Sequence, residues 1–166
     1  TWTIDRTGTL GLRDIAGIDD PYGGRTTFTY DSRGRLQEIE DPGGRSTAFE
    51  VDTSGLLTKV TLPGSTIVTL VYDDCGAMKS WVNPTSQTTT FVYNSCGRIK
   101  SIQVPGGGIS QYKYPDDTTR VLVDPLGKTV TMTLDTHGHI HVVNEPEAVT
   151  TTYTWDAHHR LLSATD

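Results

Sequence analysis

Five aspartates recur along this chain where a row of acid–base groups could stand: Asp31, Asp52, Asp73, Asp135 and Asp156. Paired carboxylates can cleave a polysaccharide, and a row of them can hold calcium. Glycoside cleavage needs two carboxylates at a defined separation in different environments, whereas these five share one local motif. Asn94 takes the same place in the row, where a catalytic carboxylate could not be replaced by an amide. Calcium-binding nonapeptide repeats would show Gly-Gly-x-Gly-x-Asp, and the chain contains none. The row reads as structure.

The histidines make a second candidate. His137, His139 and His141 lie around one turn, and His158 and His159 around the next. His139 and His141 share a strand face by alternation, a spacing that can ligate zinc. They fill slots held elsewhere by Arg35 and Gln37, which reads as solvent face. His137 and His158 are expected two strands apart, too far to share an ion through ~2.1 Å bonds without movement of the turns. No metal and no cofactor is expected. With no Ser/His/Asp constellation, phosphate loop or nucleophile motif in view, the sequence predicts no enzyme.

What positions these residues is a repeat. Four of the aspartates open an Asp-x-x-Gly, ending at Gly34, Gly55, Gly76 or Gly138, Asp156 opens the same turn with His159 in the glycine slot, and Asn94 opens the motif at Gly97; Asp31, Asp52, Asp73 and Asn94 follow at a 21-residue period, as do Asp135 and Asp156. A fixed period in this range marks a repeat architecture. Before each turn stand alternating residues such as Phe28-Thr29-Tyr30, the pattern of a half-buried strand. Asp or Asn caps the turn and glycine supplies positive φ, a common hairpin connection. The turn positions Asp31, Gly34, Asp52, Gly55, Asp73, Gly76, Asn94, Gly97, Asp135, Gly138 and Asp156 are therefore the site residues of this reading, in a structural role.

A second punctuation alternates with the first: Asp20-Pro21, Asp41-Pro42, Leu62-Pro63, Asn83-Pro84, Val104-Pro105, Asp124-Pro125 and Glu145-Pro146. Proline sets φ for a turn and cannot donate to a central ladder. Each period then reads strand, glycine turn, strand, proline turn, and the intervals leave no room for an ordinary helix. After the glycine, apolar residues stand three apart, as in Leu36 and Ile39 or Ile99 and Ile102. Plain alternation would put these on opposite faces, so a recurrent bulge is expected. The copy around Asp117 and the last copy, with His159 in the glycine slot, depart from the pattern; the first runs from Ile4-Asp5 through Gly8 and Leu10.

Composition departs from that of an ordinary globule. The chain has 166 residues, a 34% apolar fraction and a net charge of −6, the apolar share falling below the ~45–50% of typical domains. The charge is spread without basic runs, which weakens any nucleic-acid reading. No apolar run approaches the ~20 residues of a membrane span, and the N-terminus carries no signal-peptide pattern. Cys75 and Cys96 fill equivalent slots two strands apart, ~9.5 Å at standard spacing, beyond the ~7 Å reach of a disulfide. Free thiols are expected.

Tyr-Asp-x-x-Gly-Arg-Leu at this period, with Asp-Pro-Gly-Gly-Arg between copies, closely resembles the YD repeat of bacterial Rhs proteins, Tc toxin B and C components and, more distantly, teneurins. The resemblance covers nearly the whole chain, most closely at Tyr30–Leu36 with Asp41–Arg45. It implies an all-β fold of tandem hairpin repeats, about eight in one array over residues 1–166, joined edge to edge in one curved antiparallel sheet. It further implies a segment of a longer exported protein. In the bacterial members the shell encloses a C-terminal toxin, and in teneurins it serves adhesion. The family's closing core with its self-cleavage site has no counterpart here. The function expected is a non-catalytic wall segment of a toxin-enclosing shell, its partners being further repeats and the enclosed effector. The alternative is a carbohydrate- or cell-surface-binding module, which would use Trp and Tyr platforms; Trp2, Trp81 and Trp155 do not share one repeat position.

Overall fold

The structure, a computed structural model, describes residues 1–6 and 14–166. Gly8 and Leu10 of the first repeat lie outside the described residues. Two compact units follow one another, Thr1–Thr88 and Thr89–Asp166. The first carries β1 (Thr3–Asp5), β2 (Gly17–Asp19), β3 (Arg25–Tyr30), β4 (Leu36–Glu40), β5 (Ser46–Val51), β6 (Leu57–Leu62), β7 (Thr66–Tyr72) and β8 (Met78–Val82). The second carries β9 (Thr88–Tyr93), β10 (Ile99–Gln103), β11 (Ile109–Lys113), β12 (Thr119–Val123), β13 (Thr129–Leu134), β14 (Ile140–Asn144), β15 (Thr150–Trp155) and β16 (Leu161–Thr165). Within each unit every strand pairs antiparallel with its neighbour in sequence. The protein is all-β. Among the described residues the sole helical element is a 3-10 turn at Pro146–Ala148, and no helix is long and apolar enough to cross a membrane.

The three-residue spacing has a single cause. In β3–β4, Tyr30 pairs with Leu36, but Thr29 pairs with Glu38, so Gln37 is an extra residue in the ladder. A bulge of this kind shifts the alternation by one. Leu36 and Ile39 therefore sit opposite Tyr30 and Phe28, all on one face. The same shift follows the turns at Asp52, Asp73, Asn94, Asp135 and Asp156, where the extra residues are Thr58, Lys79, Lys100, His141 and Leu162. The proline-turn hairpins β4–β5, β6–β7, β10–β11, β12–β13 and β14–β15 run in register without a shift.

Pairing carries the apolar residues across each unit in lines. In the first, Ile39 faces Thr47, Phe49 faces Val60, Val60 faces Val68, and Leu70 faces Trp81. The opposite face holds Thr29, Glu38, Glu50, Lys59 and Thr69, with Lys59 Nζ 2.7 Å from Glu50 Oε1. In the second unit the equivalent line joins Phe91 to Ile102, Tyr112 to Leu122 to Val130, and Met132 to Val143. Among the described residues no hydrophobic side chain is fully buried. The chain exposes 11205 Å², against about 8,100 Å² for a compact monomer of its mass. Each unit is a single layer whose apolar face is screened mainly by its own neighbouring side chains.

Candidate functional site

The turns are where the chemistry-bearing residues collect. At the first complete turn, the Asp31 backbone N–H donates to Arg35 O (2.8 Å) and Gly34 N–H donates to Asp31 O (3.0 Å). The Asp31 Oδ1 accepts the N–H groups of Arg33 (2.8 Å) and Arg35 (2.9 Å). Gly34 stands at φ 77°, where a side chain would be strained. Asp52, Asp73, Asn94, Asp135 and Asp156 hold the same pair of donors. So do Asp20, Asp41, Asn83 and Asp124 in the proline turns. The glycine turns and these four proline turns are one device. The deviant fifth copy is anchored by Asp116 and is one residue tighter, with Oδ1 accepting from Thr118 N (2.8 Å) and Thr119 N (2.7 Å).

The residue after the glycine closes the second carboxylate oxygen. Arg35 Nε donates to Asp31 Oδ2 at 2.7 Å while its Nη1 reaches the Asp52 carbonyl of the next repeat at 2.8 Å. Arg45 and Arg160 make the same local pairing with Asp41 and Asp156. The aromatic residue before the aspartate ties the other way: Tyr30 OH donates to Ile15 O (3.0 Å), Tyr114 OH to Ile99 O (2.9 Å) and Trp155 Nε1 to Ile140 O (2.8 Å). Each spans 15 residues and joins one repeat to the preceding one. The Tyr-Asp-x-x-Gly-Arg string thus has three connecting groups: the carboxylate within the turn, the arginine forwards and the aromatic backwards.

Saturation of the carboxylates sets their electrostatics. Donation from the Arg35 backbone N–H, followed by the Arg35 side chain, holds the Asp31 carboxyl below its ordinary value. The Arg45 side chain does so at Asp41, and the Arg160 backbone at Asp156. At Asp116 the Thr119 hydroxyl leads, with Thr118, and the carboxyl falls to about 2. A general acid needs the opposite displacement. An open groove of about 590 Å³ between successive turns is lined by Asp52, Leu56, Leu70, Tyr72, Asp73 and Cys75. Both of its turn carboxylates are occupied by backbone N–H groups. Cys75 and Cys96 are exposed and free.

The histidine end differs from every other turn. His139 takes the arginine slot, its Nδ1 2.9 Å from Asp135 Oδ2, and that contact is the main cause of an Asp135 carboxyl held well below its usual range. Its other nitrogen, Nε2, lies 2.8 Å from Nδ1 of His159. The His139 ring stacks on Trp155 at 5.0 Å and 26°, and His137 stands 6.0 Å from both His139 and His159. His141 does not join them: as the extra residue of the bulge it turns away, its Nδ1 on Tyr153 O at 3.1 Å. The partner from the next turn is His159, in the glycine slot at φ 64°, rather than His158. Two signals in the sequence mark it: a non-glycine residue in the one slot that needs positive φ, and an imidazole where arginine otherwise bridges forwards.

Comparison with known proteins adds the family. Residues 18–92 match the teneurin YD-shell family model. Among solved structures, the chain is similar to a TcdB2–TccC3 crystal structure at 21% identity, covering 84% of this chain with a TM-score of 0.47. It is similar to a TcdB2–TccC3–Cdc42 crystal structure at 22% identity, with 84% coverage and a TM-score of 0.46. It is also similar to the Photorhabdus luminescens Tc holotoxin pore, at 19% identity with 84% coverage and a TM-score of 0.46. This chain spans 7% of the length of each of those chains. No curated protein sequence matches it. The family model covers the repeats from Ile18 to Val92, and the same turn contacts continue beyond it to Asp156, which supports the YD-repeat family.

Proposed function

We propose that this chain is a non-catalytic wall segment, one array of about eight repeats over residues 1–166, of a YD-repeat shell in a longer bacterial protein that is exported and encloses a C-terminal effector. The observation that carries the reading is the forward and backward stitching of repeats. Arg35 reaches the next turn and Tyr30, Tyr114 and Trp155 reach the preceding one, so each repeat is completed by its neighbours. The turn residues Asp31, Gly34, Asp52, Gly55, Asp73, Gly76, Asn94, Gly97, Asp135, Gly138 and Asp156 serve in this reading to reverse the chain. The bulges add curvature, and the apolar face, with no fully buried hydrophobic side chain among the described residues, is one side of a wall. The carboxylates of Asp31, Asp41, Asp116, Asp135 and Asp156, held below their ordinary values by the donors around them, are unsuited to acid catalysis.

Limited proteolysis of the whole parent protein tests the enclosure. The expected result is a C-terminal domain that resists protease while the repeat region is intact and is cut once the shell is opened. Cleavage of that domain at the same rate with the shell intact overturns it. Titration against a glycan array separates the adhesion alternative, in which saturable binding to a defined sugar would displace the inert-wall reading. Trp155 is a poor platform for such a ligand, since one ring face is stacked on His139 and its Nε1 is spent on Ile140 O.

A further inference from the structure

We propose that His137, His139 and His159 form a binding site for a divalent transition metal ion of the zinc type, with Asp135 orienting the central ligand. The site joins two consecutive turns of the second unit. Zinc is bound by neutral imidazoles at ~2.1 Å in tetrahedral arrangement, which places the centroids of rings sharing one ion roughly 5 Å apart. The three rings stand at 4.8, 6.0 and 6.0 Å. One donor atom each from Asp135, His137 and His139 lies within 4.8 Å of the others, and the His159 Nδ1 is 2.8 Å from His139 Nε2. Small ring movements suffice to admit an ion.

The protonation pattern suits the metal. An ionised carboxylate can only accept, so the 2.9 Å contact of Asp135 Oδ2 places a proton on His139 Nδ1. This leaves the Nε2 lone pair directed at His159, the carboxylate–histidine–metal order seen at metal centres. Without metal, that lone pair accepts from His159 Nδ1–H. With metal, His159 carries its proton on Nε2 instead and presents Nδ1, so the ring stays neutral and no net proton is exchanged. Stacking on Trp155 at 5.0 Å fixes the His139 plane, and the His139 side chain is only 18% exposed. A small cavity of about 180 Å³ lined by Asp135, His137, His139, Trp155, Asp156 and His159 gives access. Imidazole donors and the absence of a hard oxygen cage favour zinc, copper or nickel over magnesium or calcium.

The position of these residues in a repeat supplies controls that keep the fold. His159→Gly restores the turn glycine, His139→Arg copies Arg35, and His137→Ser copies Ser54. Isothermal titration of the whole chain with zinc chloride at neutral pH is the measurement, with magnesium chloride as the counter-probe and thermal melting in chelator as the fold check. One equivalent of zinc is expected to bind, at least tenfold weaker in His159→Gly and in His139→Arg, and weaker in His137→Ser. His141→Gln, which copies Gln37, is expected to bind as the native chain does. Cobalt in place of zinc should give the visible absorption of a tetrahedral site. Absence of saturable zinc binding overturns the proposal. So does undiminished binding by His159→Gly or His139→Arg, or a loss in His141→Gln equal to theirs.

Discussion

The turn at Asp31 and the turn at Asp41 are chemically alike, yet the hairpins they close are not. Both aspartates accept two backbone N–H groups on Oδ1 and an arginine Nε on Oδ2. Both turns close with the same pair of backbone bonds and place glycine at positive φ, 77° at Gly34 and 73° at Gly44. Past Asp31 the ladder slips by one residue; past Asp41 it does not. The turn therefore decides only that the chain reverses. What makes one half of the period different from the other is the single extra residue at Gln37, and with it the face on which Ile39 lands.

The sharpest way to break that difference is to add a second extra residue. Inserting an alanine between Glu38 and Ile39 moves Ile39 and Glu40 one step out of phase with Phe28 and Thr27, since a one-residue slip exchanges faces. Exposing Ile39 and turning a charge onto the apolar line is expected to cost about 2–4 kcal/mol, read as a lower midpoint in chemical denaturation. An unchanged midpoint would show that the bulge is incidental to packing.

A smaller effect tests the shared part. Asp52→Ala strands the N–H groups of Ser54 and Leu56, now held at 2.8 and 2.9 Å. Loss of such a cap costs about 1–2 kcal/mol. Asp52→Asn should stay within about 0.5 kcal/mol of the native chain, because Asn94 and Asn83 hold the same donors with an amide oxygen. If the asparagine variant fell as far as the alanine one, charge rather than geometry would be holding the turn.

The two hairpin classes also differ in how consistently glycine fills the positive-φ slot. Ser86 and Ser65, in proline turns, stand at φ 62°. Ser86→Gly should stabilise by about 0.5–1 kcal/mol, and Gly55→Ser in a glycine turn should destabilise by a similar amount. A Cβ added at Gly55 meets nothing within 4 Å, so the change is one of backbone conformation alone. Equal melting temperatures for the pair and the native chain would refute it.

Much of this was legible in the residues. Asp-x-x-Gly and the proline marks located the reversals, and Leu36 with Ile39 exposed the bulge before any ladder was seen. The unity of the two turn classes was hidden, because Pro42 draws the eye to φ while the working group, Asp41, is common to both. The anchor of the fifth copy is not legible in the same way, since Asp116 and Asp117 are equivalent to a motif and only the threonine hydroxyls of Thr118 and Thr119 choose between them. The histidine neighbours differ from those that alternation names. Alternation aligned His139 with His141, but His141 is the extra residue of its own bulge, and side-chain reach across to His159 cannot be derived from a period.

The finest test of the comparison concerns the arginines. Arg35 and Arg45 make the same Nε contact to their own aspartates, at 2.7 and 2.6 Å. Arg35 alone of the two extends its Nη1 to a neighbouring repeat, at Asp52 O, and its side chain is 30% exposed against 73% for Arg45. An exposed ion pair contributes little in water, between about 0 and 1 kcal/mol, whereas a charge-assisted bond to a half-buried carbonyl is stronger. Arg45→Ala should therefore leave stability within about 0.3 kcal/mol, and Arg35→Ala should cost about 1 kcal/mol. Raising the salt to about 0.5 M screens the exposed pairing but should leave most of the Arg35 difference in place. Arg35→Lys should recover less than half, because a single ammonium cannot face Asp31 and the Asp52 carbonyl at once as the planar guanidinium does. Equal losses at Arg35 and Arg45 would mean that the forward contact adds nothing, and that the repeats are held together by strand pairing and the aromatic hydroxyls alone.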